Sequence, residues 1–181
     1  MKNSFLKITL IFVSIILLVP KNFAQQKPAE KSPLTWYTNL MEAHEISKKK
    51  KKPVFAFFTG SDWCGWCKKL QADVFAKKEF VDWAKKNVIL LEVDFPRMKA
   101  LDPALQQQNN NLQQSFGVMG YPTIWMFNMI KNDSAKTFGI DPVGSLGYPV
   151  GALQGAEQIK FLHTADSLLN NYKANKKKGK S

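Results

Sequence analysis

Trp63-Cys64-Gly65-Trp66-Cys67-Lys68 holds the only two cysteines of the 181-residue chain and lies where an apolar run gives way to a helical pattern. Before it, Val54-Phe55-Ala56-Phe57-Phe58 follows Pro53 with the length and aromatic content of a buried strand, and Thr59-Gly60-Ser61-Asp62 supplies the turn. After it, Leu70, Val74 and Val81 recur at helical spacing among Lys, Gln, Asp and Glu, which puts the cysteine pair at the first turn of a helix. That position offers a sulfur unpaired backbone N–H groups and the positive end of the helix dipole, and both favour thiolate over thiol. Cys64 is the candidate nucleophile. Cys67, nearly a full turn on, is placed to close a disulfide with it and so release a bound sulfur partner.

Two other uses of a C-x2-C pair compete with thiol exchange. Half a zinc site needs further ligands, and the chain has no other cysteine, while His44 and His163 lie far off without ligand spacing. No metal is expected. An inert structural disulfide would close a very small loop and constrain the unfolded chain little. Exchange chemistry leads, on condition that a second site feature stands downstream.

The chain starts like an export signal: Lys2 and Lys7 precede an apolar core over residues 8–19, broken only by Thr9 and Ser14 and ended by Pro20. That core is shorter than the ~20 residues a membrane span requires. Cleavage after Ala24 is expected, with an uncleaved anchor as the alternative. Removing 24 of 181 residues leaves 157, enough for one domain with a substantial core, and the loss of Lys2, Lys7 and Lys21 lowers the formal charge from +12 to +9. An exported chain rarely meets nucleic acid, so none is assigned as partner. Two lysine runs, 48–52 and 176–180 (the second broken by Gly179), read as solvated helix ends or tail, with weak attraction to anionic lipid, glycan or acidic protein as the residual reading.

Residues 25–33 read as a flexible lead-in. Thr35 is expected to cap a helix carrying Trp36, Leu40, Ala43 and Ile46, stopped by Pro53, with His44 at its boundary. A kink is expected at Asp73-Val74-Phe75, then a helix through Phe80, Trp83 and Ala84, then a buried strand over 88–94. The glutamine- and asparagine-rich stretch around 106–111, flanked by Leu105, Leu112 and Phe116, reads as a polar-faced helix, with a loose surface insertion as the alternative.

The second feature is Phe116-Gly117-Val118-Met119-Gly120-Tyr121-Pro122-Thr123-Ile124-Trp125-Met126-Phe127, a Gly-punctuated turn leading through Tyr-Pro into an apolar strand. W-C-x-x-C-K after one strand combined with G-Y-P-T before a later one makes the chain resemble the thioredoxin-like superfamily, specifically its exported single-domain members, over residues 34 to about 170. The resemblance implies an α/β thioredoxin fold with a central mixed sheet flanked by helices. It implies a cis Pro122 facing the cysteines, and an apolar rim of Trp63, Trp66 and Tyr121 for an extended polypeptide that pairs with the Tyr121 backbone.

For function, the resemblance implies a thiol–disulfide oxidoreductase in the periplasm, or anchored in the inner membrane and facing it. Such a protein would reduce disulfides of exported proteins through a Cys64/Cys67 cycle and be recharged by a membrane-bound thiol reductant. No cofactor beyond the Cys64–Cys67 disulfide is implied, and a monomer is expected. A binding or chaperone module without redox turnover, or a disulfide oxidase or isomerase, stands as the alternative. Gly-Trp between the cysteines lacks the histidine of the superfamily's strong oxidants, so a reducing couple is expected.

Two departures from the family pattern stand out. Six residues before the first cysteine, where cytosolic thioredoxins carry a buried aspartate, this chain has Phe58, and Leu90 stands near the place of their lysine. Water, Asp62, Glu92 or Asp94 is left to accept the Cys67 proton. Downstream, residues 136–140 read as a strand, 141–149 as a turn-rich insertion, Gly151-Ala152-Leu153 as the end of a last strand and 157–171 as a closing helix with His163 on its polar side, before a disordered basic tail over 172–181.

Overall fold

The computed structural model describes residues 33–132 and 137–179. The expected export signal over 1–24 and nearly all of the lead-in over 25–33 lie outside them. Five strands form one mixed sheet in the order β1-β3-β2-β4-β5, with β1 (Trp36–Tyr37), β3 (Ile89–Asp94) and β2 (Val54–Thr59) parallel, and β4 (Thr123–Asn132) and β5 (Thr137–Leu146) antiparallel to their neighbours. The helices are α1 (Leu40–Lys50), α2 (Gly65–Leu70), α3 (Lys78–Asn87), α4 (Pro103–Ser115) and α5 (Glu157–Lys178). Every residue of β2 is buried, as a central strand covered on both faces requires.

Two cores fill the faces of the sheet. Phe55 and Phe57 point to one with Cys64, Cys67, Leu70, Phe75, Phe80 and Phe161, where rings meet edge to face or stacked at centroid distances such as 5.0 Å for Phe57–Phe75 and 4.6 Å for Phe75–Phe80. Val54, Ala56 and Phe58 point to the other, with Leu91, Val93 and Leu112. The cysteine helix is thus fastened to the sheet by aromatic side chains, each worth ~1.5–3 kcal/mol when fully buried.

The expected kink is a single π-helical turn over Gln71–Phe75 that separates α2 from α3. Such a turn is a known cause of sharp helix bending. It turns Val74 and Phe75 into the core while Asp73 stays at the surface.

Several expectations are corrected. The helix expected from Thr35 starts at Leu40, capped by Asn39, whose side-chain oxygen accepts the Glu42 N–H at 3.0 Å. Trp36 and Tyr37 instead form edge strand β1 beside Leu90 and Leu91, because the Trp36 ring finds Phe55, Phe57 and Phe75. His44, expected at a boundary, is buried beneath Phe138 with ring centroids 5.2 Å apart.

The stretch 141–149 is no insertion as far as Leu146: β5 passes through Asp141 and Pro142 and is bulged opposite Met126 and Phe127. An edge strand tolerates a proline there, and Gly144, at φ 154°, leaves room for Leu168 of α5, which a Cβ would meet at 2.7 Å. Gly151-Ala152-Leu153 is accordingly a turn rather than a strand. The tail expected to be disordered from 172 is helical to Lys178. Tyr172 donates to Asp141 and accepts from Asn128, and Lys176 reaches Asp141 at 2.9 Å, so the sheet edge holds the last turns.

Candidate active site

β2 ends at Thr59 and the chain reverses at Gly60, whose carbonyl accepts the N–H groups of Trp63 (3.2 Å) and Cys64 (2.8 Å). A Cβ on Gly60 would lie 2.4–2.8 Å from the Trp63 indole, so the absence of a side chain lets that ring lie flat on the turn. Asp94, at the end of β3, holds the turn from below: its carboxylate accepts the Ser61 N–H at 2.8 Å and the Ser61 hydroxyl at 2.6 Å. Asp62 holds it from the side, accepting the N–H groups of Arg97 and Met98, the latter at 2.7 Å. Those bonds, Met98 first, keep the Asp62 carboxyl below the usual carboxylate range.

Cys64 is the N-cap of α2, in extended conformation, and its sulfur accepts the Cys67 N–H at 3.2 Å. The two sulfurs are bonded, with Cα atoms 5.2 Å apart. Cys64 retains 5% of its surface and Cys67 none, so of the two cysteines only the first reaches the surface.

The expected rim residues are brought together in two groups. Trp63 donates its indole N–H to the Phe95 carbonyl at 2.8 Å, lies under the Arg97 guanidinium at 3.7 Å and meets Tyr121 edge to face at 5.8 Å. The Tyr121–Pro122 peptide bond is cis. Trp66, 58% exposed, turns the other way onto Tyr148 at 5.2 Å. Tyr148 donates to Asp73 at 2.6 Å, and Lys69 pairs with the same carboxylate at 2.6 Å. The Lys69 hydrogen bond and then that of Tyr148 lower the Asp73 pKa, while the bond to Asp73 raises that of Tyr148.

Sequence reasoning missed Tyr148, Arg97, Met98 and Met119. The first lies in the stretch read as an insertion, where its Tyr-Pro pair was the available signal. Met98, bonded through its N–H to Asp62, and Met119, two residues ahead of Tyr121 in sequence, are 81% and 99% exposed. Nothing in their local sequence marks them.

Counting six residues back from Cys64 also misplaced one position. The alternation of β2 puts Phe58 in the far core and Phe57 among the cysteines, and Phe57 stands beside Glu92 of β3. Glu92, not Leu90, is therefore the neighbour of the residue that faces the cysteines. Burial, then the nearby Asp94 charge, raises its pKa. Among the described residues no group of His, Cys, Asp and Glu is arranged to hold a metal ion.

A bonded C-x-x-C pair capping a helix beside a mixed sheet defines a dithiol–disulfide exchange site. Residues 40–132 match the thioredoxin-like domain family. The chain is 34% identical over 128 residues to the disulfide bond reductase DsbH of Chlamydia pneumoniae, covering 71% of this chain and 76% of that one. It is 25% identical over 136 residues to the thioredoxin-related protein DsbJ of the same organism, covering 75% of this chain and 37% of that one. Among solved structures, DsbH oxidoreductase superposes with a TM-score of 0.61 at 28% identity, covering 84% of this chain and 95% of that one. A Thermus thermophilus thioredoxin, at TM-score 0.51 and 16% identity over 77% of this chain and 88% of its own, shares the fold. The protein belongs to the thioredoxin-like family and is a thiol–disulfide oxidoreductase of the thioredoxin type.

Proposed function

We propose that this protein reduces disulfides in exported proteins, in the periplasm, as a monomer. The observation that carries the reading is the asymmetry of the two cysteines: Cys64, at the helix N-cap, is the residue with any open surface, and Cys67 is fully buried. In the reduced form, Cys64 thiolate attacks one sulfur of a client disulfide, and a client thiolate leaves. Cys67 then gives up its proton and attacks Sγ of Cys64; the second client sulfur leaves as thiolate and takes up a proton. Two electrons have passed to the client, and the enzyme holds the Cys64–Cys67 disulfide. A membrane-bound dithiol reductant returns both electrons by the same exchange in reverse.

The surroundings support this assignment of parts. Asp62 and Asp94 are committed to holding the turn, whereas Glu92 shares the sheet face of the cysteines and burial raises its pKa, the direction that makes a carboxylate a better proton acceptor. Trp63, Trp66 and Tyr121 give an apolar rim suited to a polypeptide, and Tyr121-Pro122 offers backbone for strand-like pairing. Direction follows the name of the relative DsbH, and the export signal read at residues 1–24 supports the periplasmic placement.

The test is insulin reduction with dithiothreitol as donor, together with the equilibrium of the pair against glutathione. The expected result is turnover that disappears in Cys64→Ser and a couple that remains oxidised in mildly oxidising glutathione. Turnover independent of Cys64 would leave a binding module, and a pair that stays reduced in that buffer would mark an oxidase. Cys67→Ala should accumulate mixed disulfides with its clients, and mass spectrometry of those adducts names them.

A further inference from the structure

The end of the molecule opposite Cys64 carries a second organised surface. β2 runs toward the cysteines, so its first residue, Val54, marks the far pole, and α1 and α3, which lead directly into β2 and β3, end there. Lys52 donates to the Lys85 carbonyl at 2.6 Å, tying those two helix ends together. The end of α5 reaches the same pole, because Tyr172 is bonded to Asn128, which directly follows the partner of Val54 on β4. Lysines 48–52, 85–86 and 176–178 therefore form one basic surface. One or two cations offset the dipole of a helix end, and this pole holds more than its three helices use. Glu45 lines the cavity there, and the Asp141 carboxylate is already bonded to Tyr172 and Lys176.

A projecting apolar ribbon stands in the middle of these lysines. β2 stops pairing with β4 at Phe127, whereas β4 and β5 continue paired from Asn128–Asp141 to Asn132–Thr137. Two strands alone are marginal in water. This ribbon exposes Ile130 on one face and Phe138 and Ile140 on the other, at 51%, 43% and 37%. Phe138 also lines a cavity of about 400 Å³ together with His44, Lys48, Lys51, Lys52 and Asn128. The described chain enters at this pole as well: Pro33 and Leu34 share a groove with Lys50, Lys52 and Lys85.

We infer that this pole is a docking surface for an anionic phospholipid bilayer, with the β4–β5 ribbon dipping into the headgroup layer and the lysines on the lipid phosphates. Cations around exposed apolar side chains are the chemistry of an interfacial membrane contact, whereas an acidic protein or a nucleic acid would leave the apolar ribbon unsatisfied. Docked this way, the Cys64 mouth faces away from the bilayer, toward soluble clients. The surface is separate from the redox chemistry, and its test does not depend on it.

The test is peptide-resolved hydrogen–deuterium exchange of the full chain on vesicles of phosphatidylglycerol and phosphatidylcholine in equal parts, or of phosphatidylcholine alone, at low and high salt. Slower exchange is expected in 128–132, 137–141 and 172–178 on phosphatidylglycerol at low salt. It should vanish at high salt and on phosphatidylcholine, with 63–70 unchanged. Changing Lys48, Lys49, Lys86 and Lys178 to Gln should raise the vesicle concentration for half-protection about fivefold per lysine, and Phe138→Ser should raise it several-fold with the lysines intact. Insulin reduction should be unaltered in both variants, which verifies their fold. No protection on phosphatidylglycerol, equal protection on phosphatidylcholine, or protection of 63–70 in place of the ribbon each overturns the inference. So does protection by poly-glutamate where vesicles give none, which would make an acidic polypeptide the partner.

Discussion

The two ends of the sheet are built on opposite principles. At the cysteine end a short turn is held from several sides: by the Gly60 carbonyl, by the carboxylates of Asp62 and Asp94, and by an indole bonded to Phe95 and covered by Arg97. At the lysine end charged helix termini crowd together and a two-stranded ribbon extends past the sheet. Exchange chemistry needs a sulfur fixed within fractions of an ångström of its partner, whereas contact with a soft, charged surface needs only like charges and exposed apolar groups on one side. Restraint at one end and unused interaction capacity at the other is the difference that substitutions should reproduce.

The largest effect is expected at Cys64. Cys64→Ser should take insulin reduction to the uncatalysed rate while thermal unfolding of the variant stays cooperative, and residual cysteine-like turnover would break the comparison at once.

Next comes Asp94→Ala, which leaves the Ser61 N–H and hydroxyl without their acceptor beneath the turn. A loss of about 2–3 kcal/mol in urea unfolding is expected, along with slower insulin reduction. The contrast is Lys78→Ala, whose partner Asp82 is an exposed neighbour one helical turn away; little or no stability should be lost there. If both cost the same, the turn is not under the restraint its hydrogen bonds describe.

Gly60→Ala should cost about 1–3 kcal/mol, since the added methyl meets the Trp63 indole and that ring must tilt. Trp63 fluorescence should shift as its hydrogen bond to Phe95 is lost; an unmoved spectrum with full stability would show that the ring has other room.

Glu92→Gln sharpens the picture through pH. Because burial raises the folded carboxyl pKa above its unfolded value, the native state keeps a proton that the unfolded chain releases. The stability tied to this group is full below the ordinary carboxylate range and is lost as pH rises through the folded pKa. Glu92→Gln should therefore raise the melting temperature at neutral pH, leave it nearly unchanged at acid pH, and flatten the pH profile of insulin reduction. A melting temperature raised equally at all pH values would remove the charge from the explanation.

The readings that succeeded and those that failed have separable causes. The strand before the cysteines, the break at residues 71–75 and the polar-faced helix at 103–115 are legible in local pattern, because residue type and spacing alone mark an apolar run, a break and a helical repeat. Trp36 and Tyr37 fit a helical pattern in sequence yet form an edge strand, because a strand of two residues is stabilised by Leu90 and Leu91, more than fifty residues away. The strand read at 136–140 continues to Leu146, a continuation hidden by Pro142 and Gly144, residues that signal a turn until a bulged edge strand and the approach of Leu168 give each a place. The last turns of α5 looked like a solvated tail until Asp141 came within reach of Tyr172 and Lys176.

Sequence alone determined the chemistry: two sulfurs a turn apart at the head of a helix, and a Gly-Tyr-Pro turn to set against them, since reactivity of that kind resides in residue type and short spacing. The tertiary structure alone decided which side chains share their surroundings. It put Phe57 rather than Phe58 on the cysteine face, Tyr148 under Trp66, and the lysines of three separate helices at one pole. Strand alternation and helix packing set those distances, and neither can be counted along the chain.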